Sequence, residues 1–222
     1  MKVTINNLSK SFKEDIIFKN FNMILDDNNV NCIIGASGCG KSTLLNMICG
    51  LLSHDEGTIE GISMKDISYV FQEDRLIENL TVWENLKITL KKYYKSEILE
   101  AEIENLLKMV GIDSIKNKYP FSLSGGMKQR VNIARAFGKP SKVILMDEPF
   151  KSLDYKLKYT IIDEFINLLK INKRMVVLVT HDLDEAMYFK GKIFVVGGRP
   201  LKINGVFNAS EKITKSDILK IM

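Results

Sequence analysis

Gly35-Ala36-Ser37-Gly38-Cys39-Gly40-Lys41-Ser42, followed by Thr43, has the spacing Gly-x-x-x-x-Gly-Lys-Ser/Thr, and the chemistry of that spacing is the holding of phosphate. Its glycines let the backbone turn several N–H groups into one concavity, a nest for the β- and γ-phosphates of a nucleotide. Lys41 adds a mobile cation to those phosphates, and Ser42 offers a hydroxyl to Mg²⁺. The pattern carries weight only where a strand precedes it and a helix follows. Here the apolar run Val30 to Ile34 comes before, and Leu44, Leu45, Ile48, Leu51 and Leu52 recur at helical spacing after it. The N-terminus of that helix adds positive potential at the same point. A glycine-rich turn with a chance lysine is the plainer reading, and the register of strand, helix and Lys-Ser-Thr argues against it.

Val143-Ile144-Leu145-Met146-Asp147-Glu148-Pro149 puts two carboxylates at the end of an apolar strand. In open parallel sheets ligands collect beyond the carboxyl ends of strands, so Asp147 and Glu148 are expected to face the nucleotide. Asp147 is placed to hold Mg²⁺ with Ser42. Glu148, one residue on, is placed to orient and deprotonate a water. Such a pair is often just a helix cap, which four preceding apolar residues disfavour. Leu123-Ser124-Gly125-Gly126-Met127-Lys128-Gln129-Arg130 opens a further helix. Free N–H groups, the Ser124 hydroxyl and the positive dipole end make Ser124, Gly125 and Gly126 a second anion-binding device. One active site has no evident need for two.

The elements that must position these loops alternate, which predicts an α/β fold with a mostly parallel sheet. Strands are expected at Val3 to Ser9, Phe21 to Leu25, Val30 to Ile34, Thr58 to Glu60 and Ser68 to Phe71. Thr81 to about Ile115 reads as helical throughout, with Leu99, Ile103, Leu106, Leu107 and Val110 on one stripe. After Ser122 the order is helix, strand, helix, strand: Met127 to Phe137, Val143 to Met146, Tyr155 to Lys170 and Met175 to Val179. The two strands are apolar throughout, as strands covered on both faces should be. A small strand and a short helix are expected between Lys202 and Met222.

Across 222 residues, 45% are apolar and 27% charged, which suits one ordinary globular core and excludes a disordered or fibrous chain. Apolar runs such as Val176 to Val179 fall far short of the roughly 20 residues that span a bilayer. Met1-Lys2 leads straight into a strand-like alternation, so the chain is expected to stay where it is made. Cys32, Cys39 and Cys49 lack metal-site spacing and read as reduced residues. The net charge of +5 is scattered, as on a solvated surface, and no basic arm marks a nucleic-acid partner.

Leu123 to Arg130 resembles the signature sequence of ABC-type ATPases, and the resemblance extends over nearly the whole chain in the family's order. It implies a P-loop NTPase with a RecA-like core, an N-terminal antiparallel β subdomain and an inserted α-helical subdomain. The implied division is about 1–72 and 123–200 for core and β subdomain, about 73–122 for the helical subdomain, and about 201–222 for a tail. It further implies ATP hydrolysis with Mg²⁺ in a two-fold dimer, where Ser124, Gly125 and Gly126 of one copy cap the γ-phosphate held by the other. By the same resemblance Phe12 stacks on adenine, Gln72 senses Mg²⁺ and the attacking water, Asp154 belongs to the loop crossing the dimer interface, and His181 contacts the γ-phosphate. Lys151 departs from the small or polar residue usual before that loop, and Ala36 replaces a frequent proline. Phe71 to Leu76, Thr81 to Asn85, Met146 to Phe150, Thr180 to Ala186 and Gly198 to Pro200 look most like the nitrate/sulfonate/taurine-type importer ATPases. Such subunits work at the cytoplasmic face of the membrane, with permease subunits and an extracytoplasmic solute-binding protein. A sulfonate, a nitrate or a vitamin-precursor heterocycle are all open as solutes. An export or lipid-translocating pump would share every catalytic residue, and an ABC ATPase acting on nucleic acid or ribosomes is a further alternative.

Overall fold

The computed structural model describes residues 1–26, 30–209 and 214–222, and two sheets organise them. Strands β1 (Lys2–Phe12) and β2 (Asp15–Asp26) form an antiparallel hairpin, and β4 (Glu56–Glu60) pairs with the other edge of β1. Val3 and Ile5 alternate inward, then the register shifts after Ile5 so that Leu8 also points in. Asn7, at φ 49°, is the residue that absorbs the shift, as a bulge does.

The second sheet has the order β5-β6-β7-β3-β8-β9. Its members are β3 (Val30–Ile34), β5 (Ile67–Val70), β6 (Val143–Asp147), β7 (Met175–Thr180), β8 (Lys192–Gly197) and β9 (Lys202–Asn208). All pairings are parallel except that of β9, which runs back along the edge of β8. Helices α1 (Lys41–Ile48), α2 (Val82–Leu90), α3 (Ser96–Met109), α4 (Gly125–Gly138), α5 (Tyr155–Ile171), α6 (Leu183–Tyr188) and α7 (Lys215–Leu219) complete the fold.

Alternate residues of the parallel strands feed two separate cores. Cys32, Ile34, Ile144, Met146, Val176, Leu178, Ile193 and Val195 face one side, where they join residues of α2 to α6. Ile33, Val143, Leu145, Val177, Val179, Phe194 and Val196 face the other, where they meet α1 and the inner face of the three-stranded sheet. Burial on both faces explains why these strands read as unbroken apolar runs. Each fully buried aliphatic side chain contributes about 1.5–3 kcal/mol.

Several boundaries differ from the sequence reading for local reasons. The helical stretch from Thr81 breaks at Lys91 to Lys95, so that α3 can fold back and both α2 and α3 pack on α4. Tyr94 in that break donates its hydroxyl to the Gly138 carbonyl, 2.8 Å away, at the end of α4. A capping box between Thr81 and Glu84 starts α2. Helix α1 stops at Ile48, with Gly50 at φ 73° and Leu51 exposed. Strand β8 and the short α6, capped by Asp182, add to the expected order. Strand and helix do occur in the tail, as β9 and α7, on either side of the undescribed 210–213. Among the described residues no helix is long and apolar enough to cross a membrane.

Candidate active site

Four neighbouring parallel strands end at one edge, and each ends in a candidate residue. β3 runs into Gly35, β7 into His181, β6 closes on Asp147 and Glu148, and β5 leads to Gln72. Their registers keep the ends level: Ile34 lies opposite Thr180, Asp147 opposite Val179, and Val70 opposite Met146. Sheet order thus assembles residues more than a hundred positions apart, as open parallel sheets do at their carboxyl edge.

The loop after β3 closes around Lys41. The Lys41 ammonium, nearly buried, donates to the carbonyls of Gly35 at 2.9 Å and Ala36 at 2.8 Å, with Cys39 Sγ 4.0 Å away. Gly40 has φ 118°, a conformation open mainly to glycine, and α1 begins there with no side-chain cap. At Gly35 an added Cβ would lie 2.2 Å from the Val196 carbonyl of β8, so the loop sits hard against the sheet. A cleft of roughly 440 Å³ opens over this loop, lined by Ser37, Gly38, Gly40, Lys41, Ser42 and Thr43 on one wall. Gln72, Glu148 and Lys151 form part of the other, and Phe12, 46% exposed, stands at the mouth.

Beside the loop the two carboxylates differ. Asp147 is buried, and burial pushes its carboxyl above the ordinary range, an effect the Ser42 hydroxyl partly offsets. Its Oδ1 is buried with no hydrogen-bond partner. An orphaned carboxylate oxygen beside a serine hydroxyl fits a hard divalent cation. Glu148 has φ 45°, a left-handed conformation that costs a non-glycine residue about 1–3 kcal/mol, and its N–H bonds the Val179 carbonyl at 2.9 Å. That turn aims the carboxylate between two partners: His181 Nδ1 lies 3.1 Å from Oε1, and the Lys151 ammonium 3.0 Å from Oε2. Burial alone would raise the Glu148 carboxyl, but Lys151 and His181 together outweigh it and hold its pKa below the usual value. Glu185, which lines a pocket with His181, is only 3% exposed; burial pushes it up to about 8, although Lys158, 3.9 Å away, pulls it back.

The second glycine device stands elsewhere. Ser124 caps α4, its hydroxyl accepting from the Met127 N–H at 3.3 Å, and nothing lies within 4 Å of where a Gly125 Cβ would be. A Cβ on Gly126 would come 2.9 Å from the Ser152 carbonyl, so this turn seats on the loop that ends at Asp154. Asp154 itself caps α5, accepting from the Leu157 N–H at 3.0 Å. None of Ser124, Gly125, Gly126 or Asp154 lines the cleft over Lys41 within one chain. One contact there had no signal in spacing. Arg199 pairs through both nitrogens of its fork with Asp15, 184 positions away, and also donates to the Gly38 carbonyl at 3.0 Å. It comes there because the turn after β8 meets β2 of the other sheet, where the Leu201 N–H bonds the Ile17 carbonyl at 2.7 Å.

Comparison with known proteins places this geometry in a family. The family described as ABC transporter matches residues 18–151, more than half of the chain. An aliphatic sulfonates import ATP-binding protein SsuB of Bacillus cereus is 37% identical over 216 residues, covering 93% of this chain and 85% of that protein. Its namesake in Bacillus subtilis (strain 168) is 34% identical over 215 residues, covering 92% and 83%. Among solved structures, an ATP-binding cassette captured as a dimer in a post-hydrolysis state with ADP and Pi superposes with a TM-score of 0.84 at 31% identity, covering 93% of this chain and 98% of that one. With its phosphate loop, acidic strand end and signature turn arranged as described, the chain belongs to the ABC transporter family, as an ATP-binding, ATP-hydrolysing subunit.

Proposed function

We propose that this chain is the ATPase of an importer for a small anionic solute such as a sulfonate, acting as a dimer at the cytoplasmic face of a membrane whose permease is a separate protein. The observation that carries the dimer is the separation of the two glycine devices. Lys41 has a complete cradle, whereas Ser124 to Gly126 offers donors to an anion that its own chain holds elsewhere. Two copies related by a two-fold axis supply each other's missing half. The names of the relatives support import of a sulfonate, and an extracytoplasmic binding protein would deliver it.

In this reading Phe12 stacks on the base, and residues 35–43 bind the triphosphate. Ser42 and Asp147, with Gln72 at the rim, would hold Mg²⁺, which when bound neutralises charge on the β- and γ-phosphates. Glu148 takes a proton from water as its oxygen attacks the γ-phosphorus and the bond to the β,γ-bridging oxygen breaks, leaving ADP and phosphate. His181, bonded to Glu148, steadies that carboxylate and faces the γ-phosphate. Asp154 crosses to the other copy. Closure over ATP and reopening after hydrolysis form a ligand-biased two-state cycle that moves the permease.

The testing experiment is Glu148→Gln. The variant is expected to bind ATP, to hydrolyse it at least 100-fold more slowly and to elute as a dimer in ATP but not in ADP. Unchanged turnover removes Glu148 from this role, and an ATP-independent monomer removes the shared site. Reconstitution with a cognate permease, followed by uptake of labelled sulfonate, tests the solute.

A further inference from the structure

Two lysines face the phosphate cleft, and only one belongs to the phosphate loop. Lys151 lies on the turn after β6, lines the same cleft as Lys41, Ser42 and Gln72, and places its ammonium 3.0 Å from Glu148 Oε2. The two partners of this ion pair are unequal. The Glu148 side chain is 10% exposed, on a backbone fixed in the left-handed region and tied to His181. The Lys151 side chain is 51% exposed, on a flexible four-carbon stem. The carboxylate is therefore the fixed member and the ammonium the movable one.

The geometry points to Lys151 as a second cation for the terminal phosphate of the nucleotide. This rests on the reading that residues 35–43 hold the triphosphate. A terminal phosphate arriving on Lys41 carries more negative charge than a carboxylate and stands in the cleft that Lys151 lines. The ammonium swings from Glu148 toward it and in doing so leaves the carboxylate to His181 and the attacking water. Lys151 thus couples the arrival of the γ-phosphate to the release of Glu148. ADP, lacking that group, leaves the ion pair as it stands. The residue consequently discriminates between triphosphate and diphosphate, and this sharpens the difference on which a binding-and-release cycle depends.

The experiment measures affinities of the full chain for ADP and for a non-hydrolysable β,γ-imido ATP analogue, by displacement of a fluorescent nucleotide. Chain concentration is kept low enough to prevent dimerisation. Lys151→Met is expected to weaken the ATP analogue about tenfold and ADP less than about twofold, the scale of one lost charge-assisted hydrogen bond. Lys151→Arg is expected to restore most of the preference, because it keeps the charge. Lys151→Ser, smaller and equally uncharged, runs in parallel and should match Lys151→Met. Equal losses for both nucleotides, no loss for either, or failure of arginine to restore the preference overturns the proposal while leaving the phosphate loop's role intact. If the unaltered chain binds neither nucleotide, the site itself is wrong and the proposal falls with it.

Discussion

Two helices in this protein open on glycine turns of the kind that can hold anions, and the two are built differently. At α1 the loop wraps a buried lysine, Gly38 and Gly40 take left-handed conformations that favour glycine, and the helix start is left without a side-chain cap. At α4 the serine cap is already satisfied from within, Lys128 in the turn sends its ammonium to Asp74 and Glu78, and the flank at Gly125 is open. On the proposed reading the first device suffices for binding, the second adds donors to a phosphate held by another copy, and affinity is thereby separated from turnover.

Lys41→Ala breaks the comparison at its strongest point. It is expected to lower ATP affinity by about 100-fold or more, because charge-assisted bonds to two phosphates are lost; retained tight binding in a nucleotide titration would mean that the α1 device is not the anchor. Ser124→Arg tests the other side. Nucleotide affinity of the single chain should hold, while hydrolysis falls on the order of 100-fold, as when a transition-state donor is removed. In mixed dimers carrying one such chain, only the opposite site should fail, and full activity of both sites would contradict the sharing.

A subtler change sharpens the contrast. Gly126→Ala forces a Cβ to within 2.9 Å of the Ser152 carbonyl, so the α4 turn and the loop to Asp154 must part slightly. Turnover should drop about tenfold from this misplacement, with binding unaltered; a parallel loss of affinity would show that the two devices are not independent. The smallest effect concerns Glu185 of α6, which lines a pocket with Glu148 and His181. Glu185 binds its proton more tightly when folded, with a pKa of about 8 against an ordinary 4.5. Its contribution to stability is therefore complete below the unfolded value and is lost as pH rises through about 8. Glu185→Gln should flatten that decline and raise the melting temperature near pH 8.5 by about 2–4 °C. A decline that persists in the variant assigns it to another group.

What the sequence disclosed follows from how local each feature is. The phosphate loop is contiguous, and its flanking strand and helix are recognisable from the residues on either side. Val143 to Met146 and Met175 to Val179 announce themselves because both faces are buried. The break at Lys91 to Lys95 is not visible, since every residue in it suits a helix and only packing of α2 and α3 on α4 demands the turn. The pairing of His181 with Glu148 depends on β6 and β7 lying side by side with level ends, and that of Arg199 with Asp15 on the segment after β8 meeting β2 of the other sheet. No spacing records either meeting. Lys151 is legible only as an unusual residue beside an acid; its carboxylate partner emerges once the turn at Glu148 is drawn.

The far end of α4 carries a consequence for the rest of the machine. At Gly138 an added Cβ would come 2.6 Å from a Leu106 methyl and 2.7 Å from one of Leu90, so the helical insertion is seated against that end without slack. Fourteen residues of helix make a rod about 21 Å long. Close-packed interiors yield little under load. On the proposed reading a displacement imposed on the first turn would pass through that seat to α2 and α3 with little lost on the way, a short stroke at one tip of the rod becoming a push at the other.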